Sequence, residues 1–194
     1  MLTSVDSQTG NYQCGFRAGK STKDQIFCLH QILEKSMEFN VGTHNIFIDF
    51  KAAFHCINRN YLSEAMNTFK IPSKPIKLTR LTLKDTKCKI KFLGYLSENL
   101  DTFTGVQQGD SFSCLLFTIA LERVSDSSIN TSGHIFTRLV QLLAYADDID
   151  VIARSFHAVK ETFLAFQVAA RQVSLVINVE KTKYMLFSRP KPLS

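Results

Sequence analysis

Apolar positions along the chain recur with two periods, and the periods predict the elements. Ile26, Leu29, Ile32, Leu33 and Met37 recur at helical spacing, one stripe of an amphipathic helix. Ser21-Thr22, just upstream, supplies an N-cap oxygen. Val41-Gly42-Thr43 breaks the pattern, and Asn45 to Phe50 then reads as a buried strand carrying Asp49 at its end. Lys51 to Ile57 starts a turn of helix. Tyr61, Leu62, Ala65, Met66 and Phe69 continue at helical spacing as far as Pro72, a core stripe. Pro75 to Asp85 predicts a second, basic helix. Cys88 to Leu93 alternates, a half-exposed strand with lysines outward, and a hairpin is expected through Ser97-Glu98-Asn99 to Phe103. The two-glycine loop Gly105 to Asp110 feeds a helix over Ser113 to Val124, and Ser125 to Gly133 reads as a polar linker. Two short apolar arms, Leu139 to Ala144 and Ile149 to Ala153, flank Tyr145-Ala146-Asp147-Asp148, the pattern of a hairpin with two aspartates at its tip. Val159 to Val173 predicts a helix, Leu175 to Val179 a short strand, and Lys181 to Phe187 another before Pro190 and Pro192. Residues 1–13 are polar and predict loop.

Taken together, these elements predict an antiparallel-rich α+β sheet with helices packed on one face. The chain has 194 residues, 45% of them hydrophobic, enough for one globular unit with a real core. No run of uncharged apolar residues is long enough for a transmembrane helix, and the N-terminus lacks the basic-then-apolar order of a secretory signal. Five cysteines, at 14, 28, 56, 88 and 114, are scattered singly. That spacing argues against a disulfide framework or a zinc site and fits a reducing, intracellular setting, with each thiol a small buried apolar group.

Chemistry enters with the carboxylates. Aspartate is a common turn residue because its side chain bonds nearby backbone, so Asp147-Asp148 alone is consistent with an ordinary turn. Two hard oxygen donors on a stiff turn also suit a magnesium ion whose remaining positions are filled by phosphates. Asp49, ending an apolar strand, is expensive unless solvated, paired or metal-bound. If the strands carrying Asp49 and Asp147 are neighbours, three carboxylates converge, a cluster that repels itself without cations. Two magnesium ions held there would clamp the attacking and leaving oxygens of a phosphoryl transfer. The net charge of +6 is concentrated: eight lysines and arginines lie between Lys70 and Lys91 against the single acid Asp85. Arg17, Lys20 and Lys23 form a second group, and Lys181, Lys183, Arg189 and Lys191 a third. Solvated faces are the usual fate of such lysines; three groups tilt the reading toward a phosphate-bearing partner. Gln13 to Thr22, two glycines and two basic residues ahead of a helix, is a loop that can hold phosphate, with spacing unlike a P-loop.

Asp49-Phe50-Lys51-Ala52-Ala53-Phe54, Gly105-Val106-Gln107-Gln108-Gly109-Asp110, Tyr145-Ala146-Asp147-Asp148 and Lys181-Thr182-Lys183-Tyr184-Met185 stand in the order of the reverse transcriptase motifs. Over nearly its whole length the chain resembles the reverse transcriptase domain of non-LTR (LINE-type) retrotransposons, with Gln13 to Thr22 similar to an upstream segment of that domain. The resemblance implies a right-hand polymerase palm over residues 41–194, with finger-like elements around 70–104 and a partial fingers segment over 1–40. It implies two magnesium ions, with manganese as a substitute, on Asp49 and Asp147 with Asp148 beside them. The reaction implied is RNA-directed DNA synthesis, with RNA template, DNA primer and deoxynucleotide triphosphates as partners, away from membranes and in the nucleus. Phe54 would lie under the incoming sugar and exclude a 2′-hydroxyl. Gln108 and Gly109 would line the nucleotide pocket, Arg17 and Lys20 would contact phosphate or template, and either Lys181 or Lys183 would assist the leaving group. His55 departs from the family, which usually has aspartate there, and Ser111 and Phe112 replace more usual residues. On this reading the chain starts after the first finger strands and stops before the thumb, without an endonuclease domain or a zinc knuckle. A non-enzymatic remnant that at most binds nucleic acid is the alternative.

Overall fold

The computed structural model describes residues 5–128 and 140–189, with backbone alone at 127 and 128. Helix α1 spans Thr22–Glu38 and strand β1 Thr43–Ile48. Helices α2 (Ala53–Cys56), α3 (Arg59–Thr68) and α4 (Ser73–Leu83) follow. Four two-residue strands come next: β2 (Lys87–Cys88), β3 (Lys91–Phe92), β4 (Tyr95–Leu96) and β5 (Leu100–Asp101). Helix α5 (Ser111–Ser128), strands β6 (Val140–Tyr145) and β7 (Asp148–Ala153), helix α6 (Phe156–Gln172) and strand β8 (Lys183–Phe187) complete the order.

The main sheet has the order β6-β7-β1-β8, antiparallel throughout. Side chains alternate between its faces. Leu142, Ala144, Ile149, Val151 and Ile48 meet α6, whose Phe166 is fully buried and lies 6.2 Å, ring to ring, from Phe50. Behind α6, α5 contributes Leu116, Phe117, Ile119 and Ala120, and α3 contributes Leu62, Ala65 and Met66, all buried. Burying such side chains contributes about 1.5–3 kcal/mol each. The helices start where side chains satisfy their first N–H groups. Ser21 Oγ accepts from Asp24 N while Asp24 Oδ2 accepts from Ser21 N, a capping box. Asn58 Oδ1 accepts from Asn60 N and Tyr61 N. Helix α1 stands over the opposite face of the sheet, along β6.

Several expectations change. The polar stretch from Ser125 continues α5 as far as Ser128, because Val124 and Ser125 are buried; the rest of that linker, with Leu139, Pro190, Lys191 and Pro192, lies outside the described residues. Leu175 to Val179 is not a strand but one antiparallel bridge, Phe50 to Ile177, because Asp49 O and Val176 O each take up one N–H across it. The Cys88-to-Leu93 strand divides into two fragments exposed on both faces. Its hairpin turns at Leu93-Gly94 rather than Ser97-Asn99, since both residues adopt positive φ there, the two-residue form that fits strand twist. Ile26 is exposed, and the sheet-facing stripe of α1 runs instead through Gln25, Leu29, Ile32 and Leu33. All five cysteines are free, but Cys28 and Cys88 are exposed and only Cys14 is buried. In the polar N-terminal stretch, Val5, Thr9 and Gln13 are buried.

Candidate active site

The register of β1 against β7 pairs Ile48 with Ile149. The next residues outward are Asp49 on one side and Asp148 on the other, so the two carboxylates leave neighbouring strands side by side. Asp147 sits in the two-residue turn between β6 and β7. Burial, then the charge of Asp147, then that of Asp49, raise the Asp148 carboxyl above its ordinary range. Asp49 Oδ2 is buried with no hydrogen-bond partner. An all-carboxylate donor set with an orphaned buried oxygen is the chemistry a hard divalent cation takes. The side chains are not closed around one point, and among the described residues no group of three or more potential ligands stands ready to hold a metal ion.

Asp49 and Asp148 open onto a cavity of about 490 Å3 between α1 and the sheet, lined among others by Gln25, Leu29, Asp150 and Lys181, whereas Asp147, in the turn, is not part of its lining. Asp150 has no role in the motif reading. It is 8% exposed, two places beyond Asp148 on the same strand face, both its carboxylate oxygens lack partners, and burial raises its carboxyl to about 7. A charged residue at the alternate position of an otherwise apolar strand was the available signal.

Three further residues to which the sequence motifs assign no role hold the aspartate turn. Gln13, 1% exposed, accepts from Ala146 N through Oε1 (3.0 Å) and donates from Nε2 to Ala146 O (3.1 Å). Ala146 has φ +57, a conformation that costs an L-residue of this kind roughly 1–2 kcal/mol. Gln13 thus closes both backbone groups of the strained residue next to Asp147. Gly15 N donates to the same Oε1 at 2.7 Å. A Cβ on Gly15 would fall 2.1 Å from Ala146 N, so only glycine fits beside the turn. Gln25 of α1 donates to Tyr12 O and Ala144 O, tying the helix to the hairpin.

The residues expected at the site are placed unequally. Lys181 lines the carboxylate cavity, whereas Lys183 Nζ turns away to Glu180 O at 2.8 Å. Arg17 is drawn inward: Nε meets Asp6 Oδ1 at 2.6 Å, and the remaining guanidinium nitrogens donate to the carbonyls of Asp6, Gly10 and Gln13. Lys20 is exposed. Phe54 is half-buried, stacked on Phe117 at 4.7 Å and edge-on to Phe16 at 6.3 Å. Gln108 and Gly109 lie in an exposed loop, Gly109 at φ +91. His55 is exposed and lines a hollow with Gln108, outside the carboxylate cavity.

A chain with this antiparallel sheet and these ordered motifs falls in a defined class. The family model for reverse transcriptase (RNA-dependent DNA polymerase) matches residues 1–193, and the chain belongs to that family. Solved structures of telomerase from Candida tropicalis share the fold. The apo enzyme truncated of its C-terminal domain is 17% identical, with a TM-score of 0.71 over 97% of this chain and 40% of that one. The apo enzyme is 16% identical, with a TM-score of 0.72 over 95% of this chain and 35% of that one. The same telomerase with the TWJ fragment of telomeric RNA gives 17% and 0.69 over 95% and 32%. This chain therefore spans well under half the length of each. No curated protein matches its sequence. Among the described residues, no helix is long and apolar enough to cross a membrane.

Proposed function

We propose that this chain is the palm, with part of the fingers over 1–40, of an RNA-directed DNA polymerase from a non-LTR retrotransposon. The observation that carries the reading is the β1–β7 register, which brings Asp49 beside Asp148 and next to the Asp147 turn in a chain of the reverse transcriptase family. Asp49 and Asp147, with Asp148, would hold two magnesium ions. When bound, these would supply the positive charge that a primer 3′-hydroxyl and a departing pyrophosphate need.

The chain's own groups do the rest. Lys181, which lines the cavity with Asp49 and Asp148, would give a proton to the leaving group; Lys183, bonded to Glu180 O, is the second candidate. Phe54, braced by Phe117, is a stiff wall where a ribose 2′-hydroxyl would clash. Gln108 and Gly109 offer exposed backbone and amide groups to the nucleotide and the RNA template, and the open space around Gly109 admits a close approach. Arg17 holds the separate N-terminal loop over residues 6–13 from within, while Lys20 would contact phosphate. A nuclear site of action comes with the retrotransposon reading.

Primer extension on an RNA template tests the reading, with magnesium or manganese and deoxynucleotides. Extension by the native chain and its loss by about 10³-fold in Asp147→Asn are expected, since charge stabilisation in the transition state is the larger part of such catalysis. Extension unchanged in Asp147→Asn would sink it. A chain that binds RNA but never extends, even with a grafted thumb, is instead a remnant with idle carboxylates.

A further inference from the structure

Asp150 is a buried carboxylate that the polymerase reading does not use. It is 8% exposed, and neither of its oxygens has a hydrogen-bond partner. A buried polar group without a partner is costly. In an otherwise apolar strand, that cost points to a partner from outside the chain. The register sets Asp150 opposite Phe47 on β1 and Leu143 on β6, so its carboxylate stands between two apolar side chains on the sheet face that α1 covers. Asp148 is two residues back on the same face. Both carboxylates line the cavity beneath α1, together with Ile26, Leu29, Phe47 and Leu143.

The row is negative at both ends. Burial and the charges of Asp147 and Asp49 raise the Asp148 carboxyl, and burial alone raises that of Asp150. No positive group acts on either carboxyl, so Lys181, the cation in the lining, stands off from both. A metal ion gathers its oxygen ligands around one point, within about 2.0–2.6 Å of each. Asp148 and Asp150 are instead two strand residues apart, about 6.7 Å, with apolar side chains beside them. Two positive groups on an apolar spacer fit such a row, where one compact ion does not. Side chains on one face of a strand stand roughly parallel, so the spacing of the two charges follows the strand repeat. Five extended single bonds of about 1.5 Å put the nitrogens of 1,4-diaminobutane about 6 Å apart.

We propose that the cavity between α1 and the sheet binds an aliphatic diamine or polyamine, with one ammonium on Asp150, the next on Asp148, and the methylenes between them against Leu29, Phe47 and Leu143. Hydrogen bonds between ionised partners are about twice as strong as neutral ones, and the methylenes leave water for an apolar wall. The site needs only the cavity and the two carboxylates, so it does not rest on the polymerase reading. Because Asp148 is also a candidate magnesium ligand, diamine and metal would exclude each other there.

Isothermal titration calorimetry of the full chain, near neutral pH and free of divalent metal, tests this. The probe is 1,4-diaminobutane, and butylamine is its one-ammonium control. The native chain is expected to bind the diamine roughly tenfold or more tightly than butylamine, as a second hydrogen bond to a charged group contributes. Across terminal diamines of increasing length, affinity should peak at about four carbons, where the nitrogens match the strand repeat. Asp150→Asn keeps the shape of the side chain and removes its charge, so the fold is retained, which circular dichroism checks. Its diamine affinity should fall to the butylamine level, with the length preference lost. Asp85→Asn, at a carboxylate 81% exposed, should change nothing. No measurable diamine binding, equal affinity for diamine and butylamine, or unaltered affinity in Asp150→Asn overturns the proposal. So does affinity that only rises with chain length, which marks apolar partition, or an equal loss in Asp85→Asn, which marks non-specific attraction of cations. The length series on the native chain decides the matter even where the variant fails to fold. A chain that never extends primers but shows the length optimum removes the polymerase reading and leaves the diamine site standing; normal extension without the optimum does the reverse.

Discussion

The four-stranded sheet and the hairpin over residues 84–104 are held by different forces. The sheet is pinned between fully buried side chains, Ile48, Leu116, Phe117 and Phe166 among them, and its strands pair over five or six residues. The hairpin has two-residue strands and exposed apolar groups. It is tied down by one guanidinium: Arg59 donates to the carbonyls of Leu83, Thr102, Thr104 and Gly105 and to Thr86 Oγ1. The hydroxyls of Thr86 and Thr102 meet at 2.7 Å beside it. One region is built by removing surface from water, the other by satisfying backbone polar groups, four carbonyls by Arg59 and others by Thr86, Thr102 and Thr104. The first makes a rigid base for carboxylates; the second leaves rings and lysines free.

The sharpest challenge to that contrast is Gln13, a polar side chain that stabilises the apolar region. Gln13→Ala removes three buried hydrogen bonds and opens a cavity beneath a strained turn. The expected cost is about 3 kcal/mol in urea unfolding, since each buried group left unpaired costs about 1–3 kcal/mol, with primer extension lost as well. Adding Ala146→Gly should recover part of the stability, because glycine takes positive φ without strain. A loss below about 0.5 kcal/mol would mean that the sheet holds the turn unaided.

Arg59→Lys tests the other half. Lysine cannot serve several diverging carbonyls with one ammonium. Amide exchange over 84–104 should accelerate by about 30-fold, near 2 kcal/mol of local opening, while β1, β6 and β7 keep their protection. Equal loss in both regions would show that the hairpin is part of the core's cooperative unit.

The same contrast explains what could be read from the chain. The stripes over Tyr61–Phe69 and Val159–Val173 and the apolar arms around Asp147 were legible because hydrophobic burial leaves a periodic trace, and they fell in α3, α6, β6 and β7. The hairpin was misplaced because its turn is Leu93-Gly94: a glycine after leucine is a weaker signal than asparagine or aspartate before glycine. Asp49 could be recognised as a costly strand-end carboxylate, but its neighbour across the sheet depends on register. Gln13 reaches Ala146 across 133 residues of sequence, and no local pattern announces such a bond. Arg17 looked like a phosphate ligand because basic loops usually face solvent; its nitrogens are instead taken by nearby carbonyls and Asp6.

The smallest expected effect lies where the two kinds of stabilisation meet, at Glu122. It is buried, its Oε2 accepts from Tyr12 OH at 2.7 Å and its Oε1 from Gly10 N at 2.9 Å. Burial raises its carboxyl above the ordinary value despite those bonds, and raises the Tyr12 hydroxyl too. A carboxyl whose folded pKa exceeds its unfolded one contributes stability that is complete below the unfolded value of 4.5 and is lost as pH rises through the folded pKa. Glu122→Gln resembles the protonated side chain, so it should match the native chain in urea near about pH 4. Above the folded pKa the native chain has lost this contribution and the variant has not, which narrows the pH dependence of stability. Asp126, Asp148 and Asp150 are also raised, so a downward slope persists in the variant. An unchanged slope would mean that the Tyr12 and Gly10 bonds fully offset burial, and that a polar anchor in this core carries no electrostatic cost.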